Sequence, residues 1–174
     1  MMSLSKSLAA VFNRELTTLR MEVEAYPAEA DLWRVVPGIT NPGGTLALHL
    51  AGNLQHFIGA ILGATGYRRN REAEFGDRDV PREQILRRID DAITALQRTL
   101  SELSEADLDR EFPELVAGVK LKTGDFLVHL ASHLSYHLGQ LDYHRRIVTG
   151  EGGQPLGGVV SPTRLWSAEK PVSG

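Results

Sequence analysis

The stretch FLVHLASHLSYHLGQLDYH at residues 126–144 has the apolar repeat of one long amphipathic helix. Its leucines recur at spacings of three and four, the pattern of a helical face turned toward a core: Leu127, Leu130, Leu134, Leu138 and Leu141. Because an α-helix turns about 100° per residue, the histidines of this stretch fall on a neighbouring stripe roughly 80° wide. They are His129, His133, His137 and His144. We therefore predict a buried helix that gathers histidines at the edge of the core.

Imidazoles one turn apart on a helix can chelate a single ion without distorting the backbone. Helices also carry such spacings by chance, so ordinary packed histidines with no metal are the alternative. A second apolar stretch, LALHLAGNLQHF at residues 46–57, places His49, Asn53 and His56 on one stripe. If this helix packs against the first, His49 supplies a third nitrogen, and a three-histidine metal site becomes possible.

The rest of the chain predicts two more long helices and a fold of the all-α class. Apolar residues at helical spacing run over residues 3–26, and again over residues 44–64 around His49. A third helix is expected behind Asp79 as N-cap, with Pro81 in its first turn, and extends to about residue 103. The histidine helix spans residues 123–149. We predict a four-helix bundle over residues 1–150 and an irregular tail over residues 151–174, packed on the bundle through Leu165 and Trp166.

The connections between these helices are long. We expect Trp33, Val35 and Val36 to fold the first connection back over the end of the bundle. Ser104 and Asp107 form a capping box that predicts a single helical turn before the last helix. Connections of this length allow crossovers, so the bundle need not run simply up and down.

Composition limits the classes of function. The 174 residues carry a formal net charge of -3, which gives no overall field to attract nucleic acid. The cluster of Arg68, Arg69 and Arg71 is followed at once by glutamates and is interpreted as a solvated turn with no binding role. The chain has 0 cysteines, so any metal ligands are nitrogen or oxygen. We also expect a cytoplasmic protein that does not bind membranes, because the first residues lack an unbroken apolar run.

The run SHLSYHLGQLDYHRR at residues 132–146, together with the single histidine early in the second helix, resembles the DinB and YfiT superfamily of helical-bundle proteins. The most specific part is the pattern H-x-x-x-H-x-G-Q from His133 to Gln140, and the resemblance extends over residues 4–149. It implies a four-helix bundle of the DinB/YfiT type. It also implies that the metal ligands are His49, His133 and His137.

Four further residues are candidates for a supporting role around these ligands. His129 and His56 are extra to the family pattern, and they are either packed histidines or groups that orient the ligands. Asn53 and Gln140 are comparable candidates for orienting ligands. Gly139 follows the last ligand and predicts close packing of a neighbouring helix, whereas His144 is expected at the surface near the helix end.

Three neutral imidazoles leave one or more coordination positions open, as is typical of catalytic sites. Zinc, nickel and ferrous iron all suit such ligands. The resemblance implies a stress-related homodimer in which the metal activates a thiol or a water. Such a protein would be a thiol S-transferase or a hydrolase that acts on a small molecule, with or without a low-molecular-weight thiol as cofactor. Arg20, Arg34 and Arg145 are candidates for a basic wall that holds this thiol. The alternative is a metal- or ligand-binding dimer without turnover.

Overall fold

The computed structural model describes residues 3–152, and this part of the chain is helical, with two isolated β-bridges and no β-strand. The all-α prediction is thereby confirmed. The helices are α1 (Leu4–Glu24), α2 (Gly43–Leu54), α3 (Arg71–Gly76), α4 (Arg82–Glu102), α5 (Glu105–Leu108) and α6 (Thr123–Thr149). A 3₁₀ turn spans Glu29–Trp33, and α2 continues directly as a π-helix over Gln55–Leu62. The predicted packing of Leu165 and Trp166 lies outside the described residues.

Local capping signals explain two helix starts and correct a third. The Ser3 side chain caps α1, and Ser104 and Asp107 form the predicted capping box of α5. The predicted start of the third helix behind Asp79 is wrong, because Asp79 has a φ of 55° and α4 begins only at Arg82. The physical reason is Pro81, which disfavours the helical conformation at the residue before it.

The four long helices form a bundle in which α1 packs against α4 and α6, and α2 packs against the same two helices. The helices α1 and α4 run antiparallel. Arg20 of α1 donates a hydrogen bond to Asp90 of α4, and the earlier Asn13 accepts one from the later Gln97. The helices α1 and α2 therefore occupy opposite corners of the bundle.

The histidine helix α6 runs antiparallel to α2 and its π-helical extension. The ring of His49 lies against His133, whereas the later Phe57 packs on the earlier Phe126. This antiparallel packing places His49 of α2 level with the turn of α6 that carries His133. The site described below depends on this register.

The helices α2 and α4 run parallel, so the bundle has an up-down-down-up order. The Gln55 side chain donates to the carbonyl of Arg88, and eight residues later the carbonyl of Gly63 accepts from Arg98. Two parallel neighbours need a connection that returns along the bundle. Residues 63–81 form this crossover, which contains α3 and packs on α2.

The core is built from the apolar faces that the sequence predicts, and its centre is fully buried. The first connection covers one end through the buried Trp33 and the partly buried Val36. The expectation for Val35 is wrong, because 73% of this residue is exposed. The prediction for Gly139 is also wrong, since a Cβ added there would meet nothing within 4 Å. Within residues 3–152, no helix combines the length and apolar character needed to cross a bilayer.

Candidate metal centre

His49, His133 and His137 form a compact cluster between α2 and α6. One ring nitrogen from each residue lies within 4.8 Å of those of the other two. Nε2 of His49 and Nε2 of His133 are 3.4 Å apart. The ring centroids of His133 and His137 are 4.5 Å apart, as expected for residues one turn apart on a helix. His49 is buried, and the other two rings are partly exposed.

Hydrogen bonds define which nitrogen is free in two of the three rings. Nδ1 of His137 lies 2.7 Å from Oε1 of Gln140, an oxygen that only accepts, so this Nδ1 carries the proton. Nδ1 of His49 lies 3.1 Å from Oε2 of Glu74 and 3.4 Å from Nη2 of Arg69. The carboxylate oxygen is the nearer partner and only accepts, so it favours a proton on this Nδ1. Both rings therefore have an unprotonated Nε2 when neutral.

Glu74 is brought to His49 by the crossover and held there by Arg69. The guanidinium donates from Nε to Oε1 and from Nη2 to Oε2, both at 2.7 Å. The carboxylate also lies close to the backbone of α2, where a Cβ on Gly52 would overlap with Oε1 of Glu74. Only glycine leaves room for this approach. The ring of Phe75 packs on His49 with centroids 4.7 Å apart and covers the other side of the imidazole.

The local electrostatics favour neutral imidazoles beside an ionised carboxylate. Burial, followed by the nearby rings of His137 and His49, lowers the pKa of His133 to about 4. Burial also lowers the pKa of His137, although its hydrogen bond to Gln140 opposes the shift. Burial alone would raise the pKa of Glu74, but hydrogen bonds from Arg69 and His49 outweigh burial and lower it. Neutral imidazole is the form that binds metal.

The cluster fits a divalent transition metal on the chemistry of its donors. Nitrogens bound to one tetrahedral ion at about 2.0–2.1 Å lie about 3.3 Å apart. The observed 3.4 Å between the Nε2 atoms of His49 and His133 matches that separation. Three neutral nitrogen donors suit zinc, nickel or ferrous iron better than a hard ion such as magnesium.

Of the four residues predicted to support the ligands, one forms a hydrogen bond with a clustered histidine and three do not. Gln140 bonds to His137, as described above. His129 is exposed, and its ring stacks between Phe126 and His133 at centroid distances of 6.1 and 6.3 Å. His56 packs on Phe57 in the π-helix, and Asn53 is buried with Oδ1 unpaired within the described residues. Neither residue hydrogen-bonds to the three clustered histidines.

Comparison with known proteins gives the family. The sequence profile of the DinB superfamily matches residues 12–141. The chain belongs to the DinB superfamily. A DinB-like protein from Bacillus cereus ATCC 10987 has a crystal structure that superposes with a TM-score of 0.63, at 18% identity, over 82% of this chain and 93% of that chain. No protein of curated function gives a significant match. The DinB-type bundle inferred from the H-x-x-x-H-x-G-Q run is therefore confirmed.

A cavity of about 400 Å³ adjoins the cluster of this DinB-superfamily protein. It lies between the 38–41 loop and α6, and His137 and Gln140 contribute to its wall. Tyr136 and Tyr143 line the cavity as well, and both side chains are largely exposed. None of the residues that line it is an acid, a lysine or an arginine.

The three arginines expected to form a basic wall are engaged elsewhere. Arg145 is buried in ion pairs with Glu22 and Asp142. Arg34 pairs with Asp31, and Arg20 pairs with acids on α1 and α4. The arginine that reaches the cluster is Arg69, whose Nη2 lies 3.4 Å from Nδ1 of His49. The interpretation of Arg69 as part of a solvated turn is therefore wrong, because its side chain packs against Glu74 and is only 12% exposed.

Sequence reasoning also missed Glu74 and misjudged His144. Glu74 stands in the charged run RRNREAEF, which shows no periodic relation to His49. His144, expected at the surface, is fully buried. Its Nε2 lies 2.9 Å from the carbonyl of Arg34, and its Nδ1 lies 2.8 Å from the hydroxyl of Tyr26. His144 thus ties the first connection to α6 and belongs to the packing rather than to the metal centre.

Proposed function

We propose that this DinB-superfamily protein is a metal-dependent enzyme in which His49, His133 and His137 hold one divalent transition ion and activate a thiol or a water. The observation that carries the proposal is the convergence of three imidazole nitrogens within 4.8 Å, with Nδ1 of His49 and Nδ1 of His137 each in contact with an acceptor oxygen outside the cluster. Such an ion keeps its double charge and lowers the pKa of a bound water or thiol.

The chain's own residues would divide the remaining tasks. His49 and Phe75 close the buried side of the cluster, while the partly exposed rings on α6 leave the other side open to small molecules. The cavity beside His137 is of the size that small-molecule sites have. In S-transfer, the thiol proton would pass to water, the sulfur would bond to an electrophilic carbon, and the leaving group would depart with its electron pair.

A low-molecular-weight thiol remains part of this proposal, with Arg69 as the basic group beside the site. The guanidinium of Arg69 is already paired with Glu74, so Arg69 offers at most its outward-facing hydrogens to a carboxylate of the thiol. Zinc, nickel and ferrous iron are equally compatible with the donor set.

One observation favours a second candidate, a non-catalytic metal- or ligand-binding dimer that serves a stress response. Within the described residues, the carboxylate nearest the three histidines is Glu74, and it is fully occupied by Arg69 and His49. A carboxylate that accepts three hydrogen bonds, and whose pKa they lower, is a poor general base. A binding protein needs no such base.

Elemental analysis of the purified, tag-free protein tests the metal centre. After incubation with zinc, nickel or anaerobic ferrous iron, we expect close to one metal per chain in the wild type and almost none in His49→Ala or His133→Ala. His129→Ala is the matched control, because it removes an exposed imidazole from the same face of α6. A wild type that stays empty, or a His129→Ala variant that loses the metal equally, would contradict the proposal.

Turnover separates the two candidates once the metal is identified. We expect the loaded protein to accelerate either transfer of a simple thiol to 1-chloro-2,4-dinitrobenzene or hydrolysis of p-nitrophenyl acetate, and His133→Ala to lose that rate. Metal binding without either reaction, combined with a dimer by light scattering, would favour the binding protein.

A further inference from the structure

We propose that Glu74 is a positioning residue for the metal centre. Glu74 acts through His49 and keeps Nε2 of that ring free to bind metal. This inference rests on the three-histidine centre proposed above and adds a residue from outside it. Glu74 is 3% exposed and places Oε2 3.1 Å from Nδ1 of His49. It is not itself one of the three clustered ligands.

The first argument is the choice of tautomer. A neutral imidazole carries its proton on one nitrogen, and only the other nitrogen can bind a metal. An ionised carboxylate beside Nδ1 stabilises the tautomer with the proton on Nδ1. The lone pair of Nε2 then faces Nε2 of His133, 3.4 Å away. Without Glu74, a larger share of His49 would carry its proton on the side that has to bind the ion.

The second argument is that the carboxylate is itself held in place. Both of its oxygens accept from Arg69 at 2.7 Å, in the two-pronged geometry that fixes a carboxylate in one plane. A buried carboxylate is costly without such a partner. Gly52 lets it approach the backbone of α2 one turn after His49, where any larger residue would displace it. The orientation of the His49 imidazole is therefore constrained by three residues from two segments of the chain: Glu74, Arg69 and Gly52.

The third argument is the contrast between His49 and the histidines of α6. His133 and His137 are aligned by their shared helix, and His137 is further tied to Gln140 within the same helix. His49 is the lone donor of α2, so no neighbouring ligand on its own helix helps to set its ring. The crossover between α2 and α4 supplies that constraint from outside the helix.

The direct test is the zinc affinity of Glu74→Gln, measured by competition with a chelating indicator. A glutamine amide can turn its NH₂ toward Nδ1 and favour the wrong tautomer, so we expect the zinc Kd to rise about 10–100-fold. Glu72→Gln is the matched control, because Glu72 is an exposed glutamate on the same short helix. We expect its Kd to equal that of the wild type. Equal Kd values for Glu74→Gln and Glu72→Gln would overturn the proposal.

A second test uses one variant that moves the carboxylate without removing it, together with a matched control. Gly52→Ala places a methyl group where Oε1 of Glu74 lies, and we expect a weaker zinc affinity in the same direction as Glu74→Gln. Gly139→Ala is its control, because a methyl group on Gly139 meets open space. Far-ultraviolet circular dichroism of the metal-free variants shows whether each retains the helical fold. A Gly52→Ala variant that is folded and binds zinc like Gly139→Ala would contradict the role of Glu74.

Long-range ¹H–¹⁵N spectra of the metal-free protein separate this inference from the proposed function. We expect His49 of the wild type to carry its proton on Nδ1 and to shift toward the Nε2–H form in Glu74→Gln. An unchanged tautomer would overturn the inference even if the wild type binds zinc. If the wild type binds no metal while the tautomer still follows Glu74, the metal centre fails, and Glu74 is reduced to a partner of a core histidine.

Discussion

Nε2 of His49 and Nε2 of His133 lie 3.4 Å apart, although 84 residues separate the two histidines along the chain. The antiparallel contact of α2 with α6 creates this pair, and its spacing is that of two nitrogens bound to one tetrahedral ion. Two like acceptors at this distance have no reason to attract each other unless a proton or a metal lies between them. The pair is therefore already spaced as an ion bound by both nitrogens would require.

Replacement of Gln140 is expected to weaken the metal centre without unfolding it. Gln140→Leu removes the oxygen that accepts from Nδ1 of His137, so that ring loses both its orientation and its preferred tautomer. We expect the zinc Kd to rise about 10-fold. Ser135→Ala is the control, because Ser135 is exposed on the same helix. The same chelator competition measures both variants, and an unchanged Kd for Gln140→Leu would show that His137 is aligned by its helix alone.

Zinc is expected to stabilise the folded protein. A ligand that binds only the native state adds about 2.7 kcal/mol at a concentration of 100 times its Kd. For a domain of this size, that corresponds to a rise in Tm of roughly 5–10 °C. Differential scanning calorimetry with and without zinc measures the shift. His133→Ala should show no rise, and a zinc-dependent rise of equal size in that variant would place the ion elsewhere.

Removal of the Tyr26 hydroxyl is expected to destabilise the protein and leave metal binding intact. Tyr26 donates to Nδ1 of His144, since Nε2 of that ring donates to the carbonyl of Arg34. Tyr26→Phe leaves a buried nitrogen unpaired, which costs about 1–3 kcal/mol. Urea unfolding measures the loss, with the exposed Tyr136→Phe as control, for which we expect a change of at most about 0.5 kcal/mol. A neutral effect of Tyr26→Phe would mean that water replaces the hydroxyl.

The stability of the metal-free protein is expected to fall in mild acid, in part through His144. Burial lowers the pKa of His144; the carbonyl of Arg34 and the charge of Asp31 oppose this shift, and the Arg34 guanidinium adds to it. The unfolded chain therefore binds a proton more readily than the folded chain. The contribution of His144 is complete above its unfolded pKa of about 6.5 and is lost as the pH drops below that value toward the folded pKa.

Urea unfolding at pH values from 7.5 down to 5 measures this dependence. His144→Gln cannot take up a proton, so we expect its stability to change less steeply with pH than that of the wild type. His133 also titrates as part of the metal cluster, and it contributes equally to both proteins, so the difference between the two slopes isolates His144. Identical slopes would show that the folded protein does not lower the pKa of His144.

Local sequence was enough to predict the four long helices and their apolar faces, but not the short helix α3. The leucines of α6 repeat at helical spacing, and the buried faces of α1 and α4 show the same repeat. The reason is that one face of a helix takes every third or fourth residue of the sequence. The pairing of His133 with His137 follows for the same reason. Interactions within one helix turn are encoded by neighbours in the sequence.

The neighbours of the site could not be predicted in this way. Glu74 and Arg69 stand in a charged segment whose composition is that of a solvated turn. Only the return of the chain between the parallel helices α2 and α4 places them beside His49. His144 has the position of a surface residue near a helix end, yet the first connection folds over it. Their environments depend on segments distant in the chain.

By itself, the sequence determined an all-α bundle, its DinB-type histidine pattern and the helix face on which the α6 histidines stand, since each of these depends on residues a few positions apart. Only the tertiary structure decided that His49 meets His133, that Glu74 lies against Nδ1 of His49, and that His144 is buried. The physical reason is that hydrogen bonds and burial between distant segments follow from helix direction and register, and a period within one helix carries no information about either.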